Sequence, residues 1–309
     1  MKDVPEAAPW PVENSVCRLV TRLASPKERR VFDRFDAIGA EERGRVPRFS
    51  IWPDPHVEST VECAGMDAPP EPLLTLLLPG LEGTGRLFSR FLATADGGLE
   101  LRALSYPRDR FLGYADLEEF VARELPADRP FALLGESFSG PLALRLAAKA
   151  PPGLLGVILV TTFHRKPAAP LFRRLSLLAP VFFRMPLPPH VVRLLLAGSD
   201  APDDVVADVR STVATVDARV MAARVREALQ VDATDALLAC PVPILFLGGK
   251  DDRLLRSALP IEIRSLRPDA EIRMLDAPHL VLQRRPEEAM ELVTSFLQRC
   301  HKRLPGKAA

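Results

Sequence analysis

Cysteine, tyrosine, tryptophan and any excess of one charge are all scarce in this 309-residue chain. Its four cysteines, at positions 17, 63, 240 and 300, form no CxxC pair and no Cys/His cluster. That spacing points away from a disulfide framework and from a zinc site. Lys and Arg total 41 against 40 Asp and Glu, so the net charge is +1. A protein built to hold nucleic acid usually carries a strong basic excess, so nucleic acid is not an expected partner. The longest apolar runs, Leu73–Leu78 and Gly156–Phe163, are far shorter than the ~20 residues a bilayer span requires. Met1–Asn14 carries acids and prolines where a secretory signal needs an apolar core. The expectation is a cytoplasmic protein with no transmembrane segment.

What is present is ample material for a core: 47% of residues are hydrophobic and 26% charged. The first 65 residues stand apart, with both tryptophans (Trp10, Trp52), seven prolines and no sustained periodicity. They read as a loosely ordered N-terminal extension, with one or two edge strands such as Arg48–Trp52 as the alternative. From residue 66 to 303, apolar runs alternate with helical patterns, which predicts βαβ units and a mostly parallel central sheet flanked by helices. The expected strands are Leu73–Leu78, Leu99–Ser105, Phe131–Gly135, Gly156–Thr162, Pro243–Gly248 and Glu271–Leu275. The helices between and after them are Thr84–Thr94, Tyr114–Glu124, Gly140–Ala150, Leu254–Leu266 and Pro286–Cys300. The gap between the fourth and fifth strands is too long for one crossover helix, and its Pro-rich joints predict a helical cap at about residues 164–238. That cap precedes the strand leading to the candidate acid.

The most informative segment runs from Phe131 to Leu146. An apolar strand ends in Gly135-Glu136-Ser137-Phe138-Ser139-Gly140 and passes directly into an Ala/Leu-rich helix. A nucleophilic serine presented on a strand-to-helix turn needs this context, with small residues flanking it because strand and helix approach closely. A serine hydroxyl is a weak nucleophile until a base takes its proton and a third group orients that base. Of five histidines, His56 precedes the core, His164 and His190 fall at or in the cap and His301 lies in the basic tail, whereas His279 sits just after the last strand, at a strand-to-loop position from which it reaches a serine at the sheet's C-terminal edge. The loop after the preceding strand offers Asp251 and Asp252, and counting G-x-x-D from Gly249 favours Asp252. A developing oxyanion needs backbone N–H donors. One is Phe138, next to the serine, and the other is Leu81 in the loop Leu78-Pro-Gly-Leu-Glu-Gly-Thr-Gly. That Gly-rich loop lacks both G-x-G-x-x-G and the Lys-Ser/Thr ending of a phosphate loop.

With these residues in order, positions 73–303 resemble the α/β-hydrolase fold superfamily, and in particular bacterial members with an L-P-G-[LI]-[DE]-G-T-G oxyanion segment. The resemblance rests on Leu78–Gly85, Gly135–Gly140, Gly249–Asp252 and Pro278-His279. It implies ester or thioester hydrolysis through an acyl-enzyme, as in esterases, thioesterases and lipases, without metal or organic cofactor. The sequence departs from the pattern at Ser139, where Gly is usual, at Glu82, where Asp is commoner, and in lacking a clear pair of leading antiparallel strands.

In the cap, Phe172, Leu178, Phe182 and Phe183 are candidates to line an acyl pocket above Ser137; packing within the cap itself is the other use for them. An apolar lid favours an acyl chain over a charged or sugar-like substrate. Between Ser137 and Ser199 there are eight Lys and Arg residues and no acid. This segregation either attracts an acyl carrier protein or a CoA-linked substrate, or is balanced in space by acids such as Asp200, Asp203, Asp204 and Asp208. The reading is a serine hydrolase acting on a small-molecule acyl ester or thioester, with Ser137, Asp252 and His279 as its triad. An acyltransferase with the same triad and a silent binding scaffold are the alternatives. In limited proteolysis the earliest cuts are expected within residues 1–65, and strong protection of that segment contradicts the extension.

Overall fold

Residues 72–95, 97–166 and 183–303 are described by the computed structural model, all within the compact unit Asp67–Ala309. Six strands form one sheet: β1 (Leu73–Leu78), β2 (Leu99–Ala103), β3 (Phe131–Glu136), β4 (Leu154–Val160), β5 (Ile244–Gly249) and β6 (Glu271–Leu275). Their order is β2-β1-β3-β4-β5-β6, with every neighbouring pair parallel. The four central strands are continuous apolar runs and almost wholly buried, as a parallel sheet covered on both faces demands. The outer strands β2 and β6 contain charged, partly exposed residues, which suits edges.

Successive side chains of a strand point to opposite faces, so each strand feeds two cores. Leu76, Leu133, Val157 and Phe246 face helices α2 (Tyr114–Ala122) and α3 (Gly140–Ala148). Leu77, Leu134, Ile158 and Leu247 share the opposite core with Phe91 of the short α1 (Ser89–Leu92) and with Val293 and Phe296 of a long C-terminal helix.

The gap between β4 and β5 contains α4 (Pro189–Val192), a π-helical turn (Arg193–Ala197), α5 (Asp203–Ala214), α6 (Ala218–Gln230) and α7 (Thr234–Ala239). The base of this insertion is closed by backbone pairing. Arg165 and Asp232 form an antiparallel bridge, and the Ala233 N–H donates to His164 O at 2.7 Å. Then come α8 (Leu259–Leu266), α9 (Val281–Arg284) and the long helix α10 (Pro286–Lys302).

Most expected elements form within two residues of their anticipated bounds, and two helices do not. The pattern at 84–94 breaks into a 3₁₀ turn (Arg86–Phe88) and α1, because Gly85 enters it at φ +70°. The helix expected from Leu254 starts at Leu259. Over residues 254–258 the chain instead forms bends and turns, and the N–H groups of Leu254 and Leu255 donate to Asp252 Oδ1 at 2.8 and 3.0 Å. Pro260 then sits in the first turn, where a missing N–H costs nothing.

Two features of this topology prepare a site. The winding reverses between β1 and β3, and crevices open outside the carboxyl ends of strands at such a reversal. The loops after β5 and β6 are also stitched to each other. The Lys250 N–H donates to Leu275 O at 2.9 Å and the Asp251 N–H to Ala277 O at 3.1 Å. Gly249 lies so close that a Cβ there would stand 2.2 Å from Pro278 O and 2.4 Å from Ala277 O. Replacing Gly249 by Ala therefore forces two backbones apart and is expected to cost about 2–3 kcal/mol. Urea denaturation checks this, and an unchanged midpoint contradicts it.

Candidate active site

The site grows from the turn after β3. Ser137 has φ +49°, a left-handed conformation that a residue with a side chain adopts only under constraint. Its neighbours supply the constraint. A Cβ on Gly135 would meet Ser139 O at 2.6 Å, so only glycine allows the strand and helix to come this close. The Thr162 hydroxyl, fully buried at the end of β4, donates to Ser137 O. Ser139 donates its proton to Pro79 O, so the 2.8 Å contact with Tyr106 Oη is the phenol donating to Ser139 Oγ. The serine found in place of glycine thus ties the turn to the start of the β1 loop. On the other side, Tyr114 donates to Phe138 O at 2.8 Å and stacks on the Phe138 ring at 4.9 Å between centroids.

Ser137, His279 and Asp252 are brought into one chain of hydrogen bonds. Ser137 Oγ lies 3.0 Å from His279 Nε2, and His279 Nδ1 lies 2.8 Å from Asp252 Oδ2. His279 is 4% exposed. Burial pushes the Asp252 carboxyl up, but attraction and hydrogen bonding to His279, with the N–H groups of Leu255 and Leu254, outweigh this and hold it below the usual carboxylate range. A carboxylate kept ionised against Nδ1 fixes the imidazole tautomer that leaves Nε2 as an acceptor for the serine proton. Asp251 instead uses its backbone N–H to bind the β6 loop.

Of the two candidate oxyanion donors, Phe138 follows Ser137 directly, and Leu81 follows Gly80, whose Cβ position is 3.8 Å from Ser137 Cβ. The Phe138 N–H belongs to the first turn of a helical segment, where backbone donors have no intrahelical partner. The Leu81 N–H has no acceptor among the described residues, while the carbonyl before it, Gly80 O, accepts from the Gly83 N–H at 3.0 Å. Of the four residues expected to line an acyl pocket, Phe172, Leu178 and Phe182 lie outside the described residues. Phe183 is half-buried and packs with Leu81 against Val216, Val220 and Met221, an apolar patch of the cap beside the oxyanion loop. Four of the eight segregated basic residues meet carboxylates: Arg145 and Lys149 pair with Glu118, Arg165 with Glu262 and Arg193 with Asp203, while Arg173 and Arg174 lie outside the described residues.

Other buried polar residues surround these groups. Glu136 and Glu82 are buried carboxyls on either side of Gly80, whose Cβ position is 3.8 Å from Glu136 Oε2 and 3.3 Å from Glu82 Oε2. Burial raises both, and Glu82 pushes Glu136 further, to about 7. Gln283, one turn beyond His279, donates from Nε2 to Glu136 Oε1 at 3.0 Å and to Leu87 O at 3.2 Å. Arg224 reaches the oxyanion loop from the cap. Among the described residues, no group of three or more His, Cys, Asp and Glu could hold a metal ion, and no helix is long and apolar enough to cross a membrane.

Comparison with known proteins assigns residues 25–292 to a family described as the alpha/beta hydrolase family. No curated protein matches the chain. Among solved structures, one from work on carboxylesterases of the thaumarchaeon Nitrososphaera gargenis aligns at TM-score 0.62 and 17% identity, covering 75% of this chain and 92% of that one. A thermophilic esterase from Thermogutta terrifontis aligns at 0.61 with 21% identity over 74% and 90%. The enol-lactonase of Burkholderia xenovorans LB400 aligns at 0.63 with 18% identity over 74% and 92%. At such identities the likeness is one of fold.

The raised Glu136 has a consequence for stability. In the unfolded chain this carboxyl ionises near 4.5 and in the folded protein near about 7, so between these values the folded state holds the extra proton. Stability contributed by the protonated form is complete below the lower value and is lost as pH rises through the upper one. Glu136→Gln is expected to remove roughly 3 kcal/mol of pH dependence across that window. Urea melts through the window test this, and a fall in stability as steep as wild type's contradicts it.

Proposed function

The chain belongs to the alpha/beta hydrolase family, and on that premise we propose that it is a serine hydrolase cleaving a carboxylic ester or thioester with an apolar acyl group. Ser137 Oγ attacks the acyl carbonyl carbon while His279 Nε2 takes the hydroxyl proton. The tetrahedral oxyanion accepts hydrogen bonds from the Leu81 and Phe138 N–H groups. Collapse expels the alcohol or thiol, which takes its proton from His279 and leaves an acyl-Ser137 ester. Water, deprotonated by His279, then attacks that ester, and the acid departs as the proton returns to Ser137. Asp252 remains ionised throughout and stabilises the imidazolium.

The observation that carries this reading is the unbroken contact series from Ser137 Oγ through both ring nitrogens of His279 to Asp252 Oδ2, at 3.0 and 2.8 Å. It converges on a serine held at φ +49°, and the Leu81 N–H of the loop after β1 has no acceptor among the described residues. A scaffold that only binds ligands has no use for that strain. The apolar patch of Val216, Val220, Met221 and Phe183 beside Leu81 supports an apolar acyl group. Two structural neighbours come from work on esterases and one is an enol-lactonase, which favours an oxygen ester. Four of the eight basic residues between Ser137 and Ser199 pair with carboxylates, which favours a free small ester over a carrier-bound or CoA-linked one.

A fluorophosphonate probe is expected to label the wild-type protein and not Ser137→Ala; persistent labelling of that variant refutes the nucleophile. Asp252→Asn is expected to lower kcat on p-nitrophenyl esters by roughly 10⁴, through the wrong imidazole tautomer, with the fold retained. Steady-state kinetics checks this, and a loss below tenfold removes Asp252 from the triad.

A further inference from the structure

Arg224, on cap helix α6, is the largest fully buried side chain among the described residues, at 1% exposure. Its guanidinium makes no hydrogen bond to a carboxylate. Nη1 donates to Leu81 O at 2.9 Å and to Glu82 O at 2.8 Å, and Nη2 donates to Pro107 O at 2.9 Å. The guanidinium carbon stands 5.8 Å from the centre of the Tyr106 ring, whose hydroxyl holds Ser139. One side chain of the cap therefore touches the oxyanion loop, the loop after β2 and, through Tyr106, the nucleophile turn.

The loop is shaped to receive it. Gly83 has φ +69°, a conformation that favours glycine, and a Cβ there would stand 2.4 Å from Arg224 Nη1, so a side chain at this position would displace the guanidinium. Gly80 O is taken by the Gly83 N–H, and Leu81 O and Glu82 O by Arg224, so three successive carbonyls are held. With its carbonyls fixed in this way, the loop leaves the Leu81 N–H without an acceptor among the described residues, one residue after Gly80, whose Cβ position is 3.8 Å from Ser137 Cβ.

We propose that Arg224 is a positioning residue that fixes the oxyanion loop, so that cap helix α6 sets the aim of the Leu81 N–H donor. The inference rests on the hydrolase reading. A buried cation without a hydrogen-bonded acid is costly, so simple docking of the cap does not account for it. Leu81 already packs on Val216, Val220 and Met221, and that apolar contact would hold the cap without a charge. Glu82 attracts the guanidinium from the loop itself, while its carboxylate accepts from Thr84. Only a planar fork reaches two carbonyls of one loop and a third of another; an ammonium on a flexible stem does not reproduce it.

The test compares wild type with Arg224→Met, Arg224→Lys and Arg224→Ala on a p-nitrophenyl ester, with thermal melts alongside. Losing the aim of one donor is expected to lower kcat roughly tenfold to hundredfold, with KM little changed. In Arg224→Ala, millimolar guanidinium is expected to restore part of kcat, and methylammonium to restore none. If Met and Ala prevent folding, Arg224→Lys carries the same comparison of kcat with KM. Unchanged kcat in folded variants, a rise in KM alone, or equal rescue by both cations overturns the inference and leaves the hydrolase reading intact. A wild-type protein that neither reacts with a fluorophosphonate nor turns over esters overturns both.

Discussion

Everything at the sheet's carboxyl edge depends on one backbone conformation, the left-handed φ of Ser137. Such a conformation costs on the order of 1–3 kcal/mol and persists only where its surroundings over-determine it. Here they do so from three directions. Strand β3 and helix α3 close on a turn with no room for a side chain at Gly135. Thr162 on the neighbouring strand grips the serine's own carbonyl. Ser139, supported by Tyr106, anchors the turn to Pro79. The strain is therefore supported by β1, β3 and β4 together, and that triple support keeps the serine hydroxyl on the His279 ring.

A second layer of cost surrounds the first. Glu82, Glu136, Gln283 and Arg224 are all polar, all nearly sealed from solvent, and all within two bonding steps of the β1 loop or the nucleophile turn. Burying such groups is unfavourable unless they are satisfied. Arg224 is held by backbone carbonyls and Glu82 by Thr84, while Gln283 joins Glu136 to the Leu87 carbonyl, so their energetics are bound up with loop shape. Meanwhile, Asp252 and His279 sit on segments tied to each other by main-chain bonds, Lys250 N–H to Leu275 O and Asp251 N–H to Ala277 O.

Much of this was legible in the sequence because the signals are short-range. Four continuous apolar runs marked the central strands, and Leu73–Leu78 and Glu271–Leu275 form with the bounds their composition indicates. Ser137, Asp252 and His279 each sit just after such a run, so their order along the chain indicated which loops would converge. Residues acting across distance were not legible. Arg224 lies 142 positions from Glu82 and Gln283 lies 147 from Glu136, and no local pattern distinguishes either from a surface Arg or Gln. The helix expected from Leu254 begins only at Leu259, after a turn whose Leu254 and Leu255 N–H groups donate to Asp252, a residue 2.8 Å from His279. Ser139 stood out only as a serine where glycine is usual, yet its hydroxyl makes bonds to Pro79 O and Tyr106 that glycine could not make.

The bridge between Arg165 and Asp232 has a consequence for how this architecture diversifies. Both ends of the cap meet in a single pair of strand-like residues, with Ala233 bonded back to His164. Closing a longer or shorter excursion over such a base changes the entropy only logarithmically with its length. The insertion also falls between β4 and β5, so exchanging it leaves the register of both strands unaltered. On those grounds the cap is a module, replaceable by recombination or by design. Its freedom ends at three oxygen atoms. Any replacement must present a donor to the carbonyls of Leu81, Glu82 and Pro107, or leave them to water beside the nucleophile.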